Sequence, residues 1–227
     1  GDWAGFERFL EAPGQDVRFH RLTATAKRIP SALIERGVEQ HRRLADAADA
    51  RAALSELGAW MMLTPTRNGP FGTLEYNRQV RARLLARAGS SEQADRPIHG
   101  EPIIVLENDY DQGLFNGDIG LVWDDGERLI ACFESAEKGV RHFRASELPR
   151  HESAFALTIH KSQGSEFEGV HCLLGPDTAT TLTRELMYTA FSRAKRELSV
   201  FGHMETLKAG ISRQAVRATR LPALLKR

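Results

Sequence analysis

The sequence contains few cysteines and few aromatic residues, and it has no long hydrophobic run. Of its 227 residues, 2 are cysteines and 7% are aromatic. Cys132 and Cys172 form no CxxC pair, so we expect buried free thiols in a reducing compartment, not a disulfide or a metal site. The apolar stretches fall far short of the roughly 20 residues of a membrane span. With no secretory leader at its start, the sequence predicts a soluble, non-secreted protein.

A phosphate-binding loop of the form GxxxxGKS/T is also absent from the sequence. Such a loop supplies the backbone cradle, the lysine and the magnesium-binding hydroxyl of many ATPases. No acidic cluster with metal-ligand spacing occurs in the α/β part, which argues against a nuclease. The pair Asp124–Asp125 is better explained as a hairpin turn. Because the chain also lacks an initiating methionine, we expect a piece of a longer protein.

The composition otherwise suits a folded protein of one large or two small domains, with 41% apolar residues. The net charge of +1 hides a division along the chain. Residues 61–100 carry 6 basic and 3 acidic side chains (+3), residues 101–150 carry 5 and 11 (−6), and residues 151–227 carry 11 and 7 (+4). The cationic segments could bind a polyanion if they meet in space, although a solvated charged surface is the simpler explanation.

Hydrophobic periodicity predicts an α/β protein with an insertion. A long amphipathic helix over 31–58 precedes a buried strand at 59–65 and a basic helix at 74–88. Short β-rich runs separated by turns then predict a small antiparallel barrel within 100–150. After residue 150 the strands at 154–159, 170–174 and 198–201 and the helix at 184–192 restore the α/β pattern. We therefore divide the chain into 1–58 (linker and long helix), 59–99, 100–150 (insertion) and 151–227.

Three polar segments next to predicted strands are the candidate site, because ligands of open α/β sheets lie beyond strand ends. The first, 64–72, holds Arg67 among glycines and prolines, where its planar fork suits phosphate; a surface arginine is the alternative. The second, 156–167, is too polar for a core. The third, 183–196, ends a buried helical face with Arg193, which could neutralise a phosphoryl group. Its alternative is a helix end stabilised by basic residues.

The second segment offers the most varied chemistry. Thr158, His160 and Lys161 can donate to a backbone phosphate, and Gly164 permits close approach of a ligand. Glu166 can accept hydrogen bonds from ribose hydroxyls. His160 on its own is more typical of a structural histidine.

Together, the three segments resemble motifs IV, V and VI of superfamily 1 helicases, and most closely those of the RecD family, the alpha subunit of exodeoxyribonuclease V. The runs 69–72, 113–120 and 183–186 resemble this family specifically. The resemblance extends from Met61 to Phe201, and residues 1–60 are only loosely similar. It implies a RecA-like P-loop NTPase fold, here the second motor domain, with a parallel sheet flanked by helices and an inserted SH3-like β-barrel.

The resemblance also assigns roles to residues. Arg67 and Arg193 are expected to reach the γ-phosphate of ATP as catalytic arginines, and Gly164 and Glu166 to face the nucleotide. Thr158, His160 and Lys161 are expected to face single-stranded DNA. The cofactor implied is ATP with Mg²⁺, whose ligands lie outside this chain, so the chain alone is expected not to hydrolyse ATP.

The implied function is the C-terminal motor half of an ATP-dependent 5′ to 3′ DNA helicase in the bacterial cytoplasm, acting in double-strand break processing and recombinational repair. Its partners would be single-stranded DNA, the beta and gamma subunits of exodeoxyribonuclease V and the N-terminal RecA-like domain of its own chain. The acidic insertion is expected to contact a protein or to guide a strand only locally, since cations drive backbone binding. The alternatives are a non-catalytic DNA- or partner-binding module and a free-standing RecD-like helicase.

Overall fold

The computed structural model describes residues 2–11, 14, 16–89, 96–135 and 139–215. The helices are α1 (Trp3–Glu11), α2 (Ser31–Ala45), α3 (Ala50–Leu57), α4 (Thr73–Arg87), α5 (Arg184–Phe191) and α6 (Met204–Ser212). The strands are β1 (Val17–Arg21), β2 (Trp60–Thr64), β3 (Pro102–Val105), β4 (Ile119–Asp124), β5 (Leu129–Ser135), β6 (Gly139–Arg144), β7 (His151–Ser153), β8 (Ala156–Thr158), β9 (Phe167–Leu174) and β10 (Ala194–Gly202). Within these described residues, no helix is both long and apolar enough to cross a membrane.

The first sheet is parallel, with the strand order β1-β10-β9-β2-β8. Successive residues of β2 point to opposite faces, as the period of a strand requires. Met61 and Leu63 pack with residues of α5 and α6 on one face, and Met62 packs with residues of α2 and α4 on the other. Burial on both faces explains why the predicted strands are almost continuously apolar. The predicted α/β class with a helix-flanked parallel sheet is confirmed.

The second sheet is antiparallel, with the order β6-β5-β4-β3-β7. One of its faces buries Cys132 against Ala50 and Ala53 of α3, and the other encloses an apolar cluster that includes Phe133 and Phe143. β7 pairs with β3, so this sheet extends to Ser153, just past the predicted boundary at residue 150.

Two turns between its strands contain glycines in the left-handed region, Gly117 with φ 103° and Gly126 with φ 93°. Side-chain-bearing residues rarely adopt this conformation, and turn signals built on these glycines can therefore be recognised in the sequence.

The amino-terminal part differs from the sequence prediction. The helix expected over 31–58 is two helices, because Asp49 accepts a hydrogen bond from the backbone N–H of Ala52 (2.8 Å) and begins α3 as its N-cap. Residues expected to form a linker include β1, which pairs with β10 at the edge of the parallel sheet. An edge strand is only partly buried, and its polar residues therefore conceal it from a search for apolar runs. Both cysteines are buried and free, as predicted.

Polar contacts from α4 join the two sheets. The Asn77 side chain donates to the carbonyl of Ser153 (2.6 Å) and accepts from the N–H of Ala156 (2.8 Å). One turn further along α4, Arg81 pairs with Glu101, which is 3% exposed and accepts a hydrogen bond from the Ser153 hydroxyl. These contacts fix the chain where it passes from the second sheet to the first.

Replacing Asn77 by alanine is expected to destabilise the fold by about 2–4 kcal/mol, because buried backbone groups lose their partners. Urea unfolding of the purified chain measures this change. The control, Arg78→Ala on the exposed side of the same helix, should change stability by less than about 0.5 kcal/mol. Equal effects of the two substitutions would contradict the structural role of Asn77.

A second expectation concerns His171 on β9, which stacks on Trp60 (4.8 Å between centroids). Burial, with Arg36, His20 and Arg18 nearby, lowers the pKa of His171 from 6.5 to about 4. Between these values the unfolded chain binds a proton that the folded chain does not, so stability should fall as the pH falls from about 6.5 to 4. His171→Phe should make this loss shallower in urea titrations between pH 7 and 4.5. An unchanged pH dependence would contradict the assignment.

Candidate functional site

The carboxyl edge of the parallel sheet carries two of the candidate segments. β2 and β8 end in register, with Thr64 beside Thr158, and the N–H of Ile159 donates to the carbonyl of Thr64 (2.9 Å). The loop after β2 turns at once, because the Thr64 hydroxyl donates to the carbonyl of Thr66 (2.7 Å). The backbone therefore carries Arg67 to the same edge as the segment that follows β8.

Arg67 and Lys161 meet at one carboxylate on this edge. The Arg67 guanidinium lies 2.7 Å from Oε2 of Glu152, and the Lys161 ammonium lies 3.5 Å from Oε1 of the same residue. Glu152 belongs to β7 of the antiparallel sheet, whereas both cations belong to loops of the parallel sheet. The cluster therefore spans the seam between the two sheets.

A crevice of about 580 Å³ opens on this cluster. It is lined by Arg67, Leu106, Asn116, Arg150, His151, Glu152 and Lys161. Near Asn116, the loop between β3 and β4 exposes two aromatic side chains, Tyr110 (77% exposed) and Phe115 (47%), with ring centroids 6.0 Å apart. Cations that line a groove and exposed aromatic rings are both features of surfaces that bind single-stranded nucleic acid.

The segment after β8 begins with a tight turn. The Thr158 carbonyl accepts hydrogen bonds from the N–H groups of Lys161 (2.9 Å) and Ser162 (3.2 Å). Ser162 is fully buried, and its hydroxyl donates to the carbonyl of Ile159 (2.8 Å). His160, between them in the sequence, is exposed. Gly164 has φ 89° with open space around it, so the backbone conformation, not crowding, favours glycine there.

This segment ends at the opposite edge of the sheet. Phe167 begins β9, pairs with Ala194 and donates its N–H to the carbonyl of Arg193 (2.9 Å). Arg193 is held from two sides, since its Nε donates to the carbonyl of Thr189 (3.2 Å) and its guanidinium donates to the carbonyl of Ser165 (3.1 Å). Both contacts fix the direction of the side chain at the amino edge.

Glu166 and Lys195 lie at the same edge. The Lys195 ammonium is 3.9 Å from a carboxylate oxygen of Glu166, and both side chains are about half exposed. Glu166 and Lys195 line a cavity of about 720 Å³ together with Arg51, Glu134 and Glu168. Arg193 and Lys195 are cations at this edge that a phosphate group can bind. Among the described residues no group of three His, Cys, Asp or Glu side chains is placed to bind a metal ion.

The structure does not bring all the predicted site residues together. Leu63 of β2 lies beside Cys172 of β9, so Thr64, the last residue of β2, lies level with the residue after Cys172. That level is about six residues along β9 from its start at Phe167. At about 3.3 Å per residue, the two edges are roughly 20 Å apart. Arg193 and Glu166 lie at the amino end of this span, and Gly164 lies within the segment that connects the two ends. Arg67 is in contact with the Glu152–Lys161 cluster at the other end, away from Arg193.

Glu152 is not among the site residues predicted from the sequence. It lies in a three-residue strand outside every motif, and only the pairing of β7 with β3 brings it to the two cations. Phe115, in contrast, lies in the run 113–120 that resembles the helicase family. Its position in that run is a signal that the sequence offered, and the structure shows that its side chain is exposed.

Comparison with known proteins identifies the family of this chain. The UvrD-like helicase C-terminal domain family matches residues 153–201, from the end of β7 into β10. RecBCD enzyme subunit RecD of Mycolicibacterium smegmatis is 40% identical over 187 residues, which are 82% of this chain and 32% of that protein. This chain belongs to the RecD family. It spans about a third of the length of this RecD relative.

This chain is also similar to a second RecD-type helicase and, in part, to a solved structure. The ATP-dependent RecD2 DNA helicase of Deinococcus radiodurans is 33% identical over 174 residues, 75% of this chain and 23% of that protein. Among solved structures, Bacteroides Pif1 bound to ssDNA has 16% identity and a TM-score of 0.41, over 88% of this chain and 54% of that one. The structural likeness is partial, and the family assignment rests on the sequence relatives.

Proposed function

We propose that this RecD-family chain is the second motor domain of an ATP-dependent 5′ to 3′ DNA helicase, the alpha subunit of an exodeoxyribonuclease V in the bacterial cytoplasm. Its parallel sheet is then the RecA-like domain, and its antiparallel sheet the SH3-like barrel. ATP with Mg²⁺ binds between this domain and an N-terminal RecA-like domain of the same protein, which carries the magnesium ligands. The work of the complex is double-strand break processing for recombinational repair.

The observation that carries this proposal is the path of residues 158–166. At one edge of the sheet, Lys161 of this segment shares Glu152 with Arg67. At the other edge, the segment ends with Glu166, next to Ser165, which accepts a hydrogen bond from Arg193. A motor must make its grip on a strand depend on the state of a nucleotide. One short segment with a polar group at each end supplies that connection.

At the amino edge, Arg193 and Glu166 serve the nucleotide. Arg193 neutralises charge that develops on the transferred phosphoryl group, and its two backbone acceptors hold it ready for that role. Glu166 accepts from a ribose hydroxyl, and Gly164 lets the backbone approach. The chain by itself lacks the phosphate-binding loop, so we propose that it does not hydrolyse ATP alone.

At the carboxyl edge, Thr158, His160 and Lys161 serve single-stranded DNA. The crevice supplies cations for the backbone, and the exposed Tyr110 and Phe115 offer faces on which bases can stack. The acidic second sheet takes part only at this rim. Its remaining surface suits the beta and gamma subunits of the complex.

A free-standing RecD-like helicase is the second candidate. The likeness to the Deinococcus radiodurans RecD2 helicase favours it, because that protein is named as a helicase and not as a subunit. Both candidates use the same two edges. A non-catalytic binding module is the remaining alternative, and the ordered position of Arg193 argues against it.

The role of Arg193 is tested in the full-length protein with its partner subunits. Arg193→Ala should leave ATP binding nearly intact and reduce DNA-stimulated turnover about a hundredfold or more, because an arginine finger contributes roughly 10³–10⁵ in rate. ATP affinity and steady-state hydrolysis are the two measurements.

Arg42→Ala, at an exposed position of α2 outside the three candidate segments, is the matched control and should hydrolyse ATP normally. The 227-residue chain alone gives the inactive reference. Normal turnover by the Arg193 variant would remove the residue from this role and favour the binding module.

Lys161→Ala should weaken binding of single-stranded oligonucleotides and reduce the slope of log affinity against log salt by about 1, as expected for one lost phosphate contact. Fluorescence anisotropy at several salt concentrations measures both quantities. Lys208→Ala on α6 removes the same charge away from the crevice and should leave the slope unchanged. Identical slopes in all three proteins would place Lys161 outside the binding surface.

A further inference from the structure

We propose that Arg67 and Lys161 form a subsite for a DNA backbone phosphate, and that Glu152 occupies this subsite with its own carboxylate until a strand displaces it. This inference rests on the proposed function and deepens it. It makes Glu152 a positioning residue that weakens the grip on DNA, and it moves Arg67 from the nucleotide to the strand.

The contacts of Glu152 are those expected of a carboxylate that takes the place of a phosphate. Its Oε2 lies 2.7 Å from the Arg67 guanidinium, and its Oε1 lies 3.5 Å from the Lys161 ammonium. Carboxylates and phosphates present similarly spaced anionic oxygens to an arginine fork. An anionic oxygen already lies at the point where the two cations converge.

The surroundings favour an anion larger than one carboxylate. Arg150 and His151 line the same crevice, together with the amide of Asn116. The crevice therefore holds three permanent cations, Arg67, Arg150 and Lys161, against a single carboxylate. Its volume of about 580 Å³ leaves room for a strand beside the Glu152 side chain.

The Glu152 contacts are not needed to hold the sheets together. Arg67 is half exposed (49%), whereas Glu152 is 18% and Lys161 27% exposed, so solvent reaches the cluster mainly through Arg67. The buried pair of Arg81 with Glu101 and the two bonds of Asn77 already join the sheets nearby. A phosphate that enters from the side of Arg67 can replace the carboxylate, because it becomes the anionic partner of the same two cations.

Position along the sheet separates Arg67 from the nucleotide. The edge that carries Arg67 is roughly 20 Å from the edge that carries Arg193, by the register of β2 and β9. Arg67 is bonded to Glu152 at its edge, with Lys161 as its cationic neighbour, and Arg193 is bonded to the carbonyls of Thr189 and Ser165 at the other edge.

The test is the affinity of the full-length protein for an oligo-dT strand without nucleotide, measured across salt concentrations. Glu152→Gln should bind about three- to tenfold more tightly, with a steeper salt dependence, because two cations lose their internal competitor. Glu127→Gln, at an exposed position in the turn between β4 and β5, changes the net charge equally and should bind like the parent protein. Unchanged or weaker binding by Glu152→Gln overturns the proposal.

A second variant separates the two possible positions of Arg67. Arg67→Ala should weaken oligo-dT binding and leave the KM for ATP unchanged, and the gain from Glu152→Gln should shrink in the double variant. A raised KM for ATP with normal oligo-dT binding would overturn the proposal and return Arg67 to the nucleotide. Failure of the proposed function looks different, since the parent protein would then neither bind oligo-dT nor hydrolyse ATP.

Discussion

The geometry of the crevice depends on the hydrogen bonds that α4 makes to the backbone around residue 155. Asn77 contacts Ser153, the last residue of the second sheet, and Ala156, the first residue of β8. The N–H of Ala154 between them donates to the carbonyl of Pro102 (2.8 Å). Both sides of this crossing are therefore bonded, which positions Glu152 of the second sheet relative to Thr158 of the first.

Much of the fold could be predicted because it follows from local rules. Apolar runs gave the central strands, and glycines in turns marked the hairpins of the second sheet. The errors arose where tertiary context decides. α2 ends at Ala45 and Asp49 caps the start of α3, and a window that counts only apolar spacing does not detect such a break. β1 is too polar to be recognised alone and becomes a strand by pairing with β10.

For the site, the sequence indicated which residues carry chemistry but not which of them meet. Arg67, Lys161 and Arg193 all lie in segments next to strands, and the resemblance assigned Arg67 and Arg193 to the same phosphate and Lys161 to the strand. Strand order and register separate them, and neither can be read from periodicity. Glu152 could not be predicted as a site residue either, because no spacing rule links a residue of an antiparallel strand to two loops of a parallel sheet.

Under the proposed function, the two edges of the parallel sheet influence each other through residues 158–166, which must therefore form a stiff connection. Two edges about 20 Å apart can influence each other only through an element with few alternative conformations. The segment meets that condition, since its turn is closed by the Thr158 carbonyl, Ser162 is buried with its hydroxyl bonded, and its far end is tied to Arg193 through Ser165. Under the proposed function, a displacement of Arg193 by a phosphoryl group would be transmitted along this backbone toward Lys161. The pairing of Lys161 with Glu152 would then change, and with it the binding of a strand.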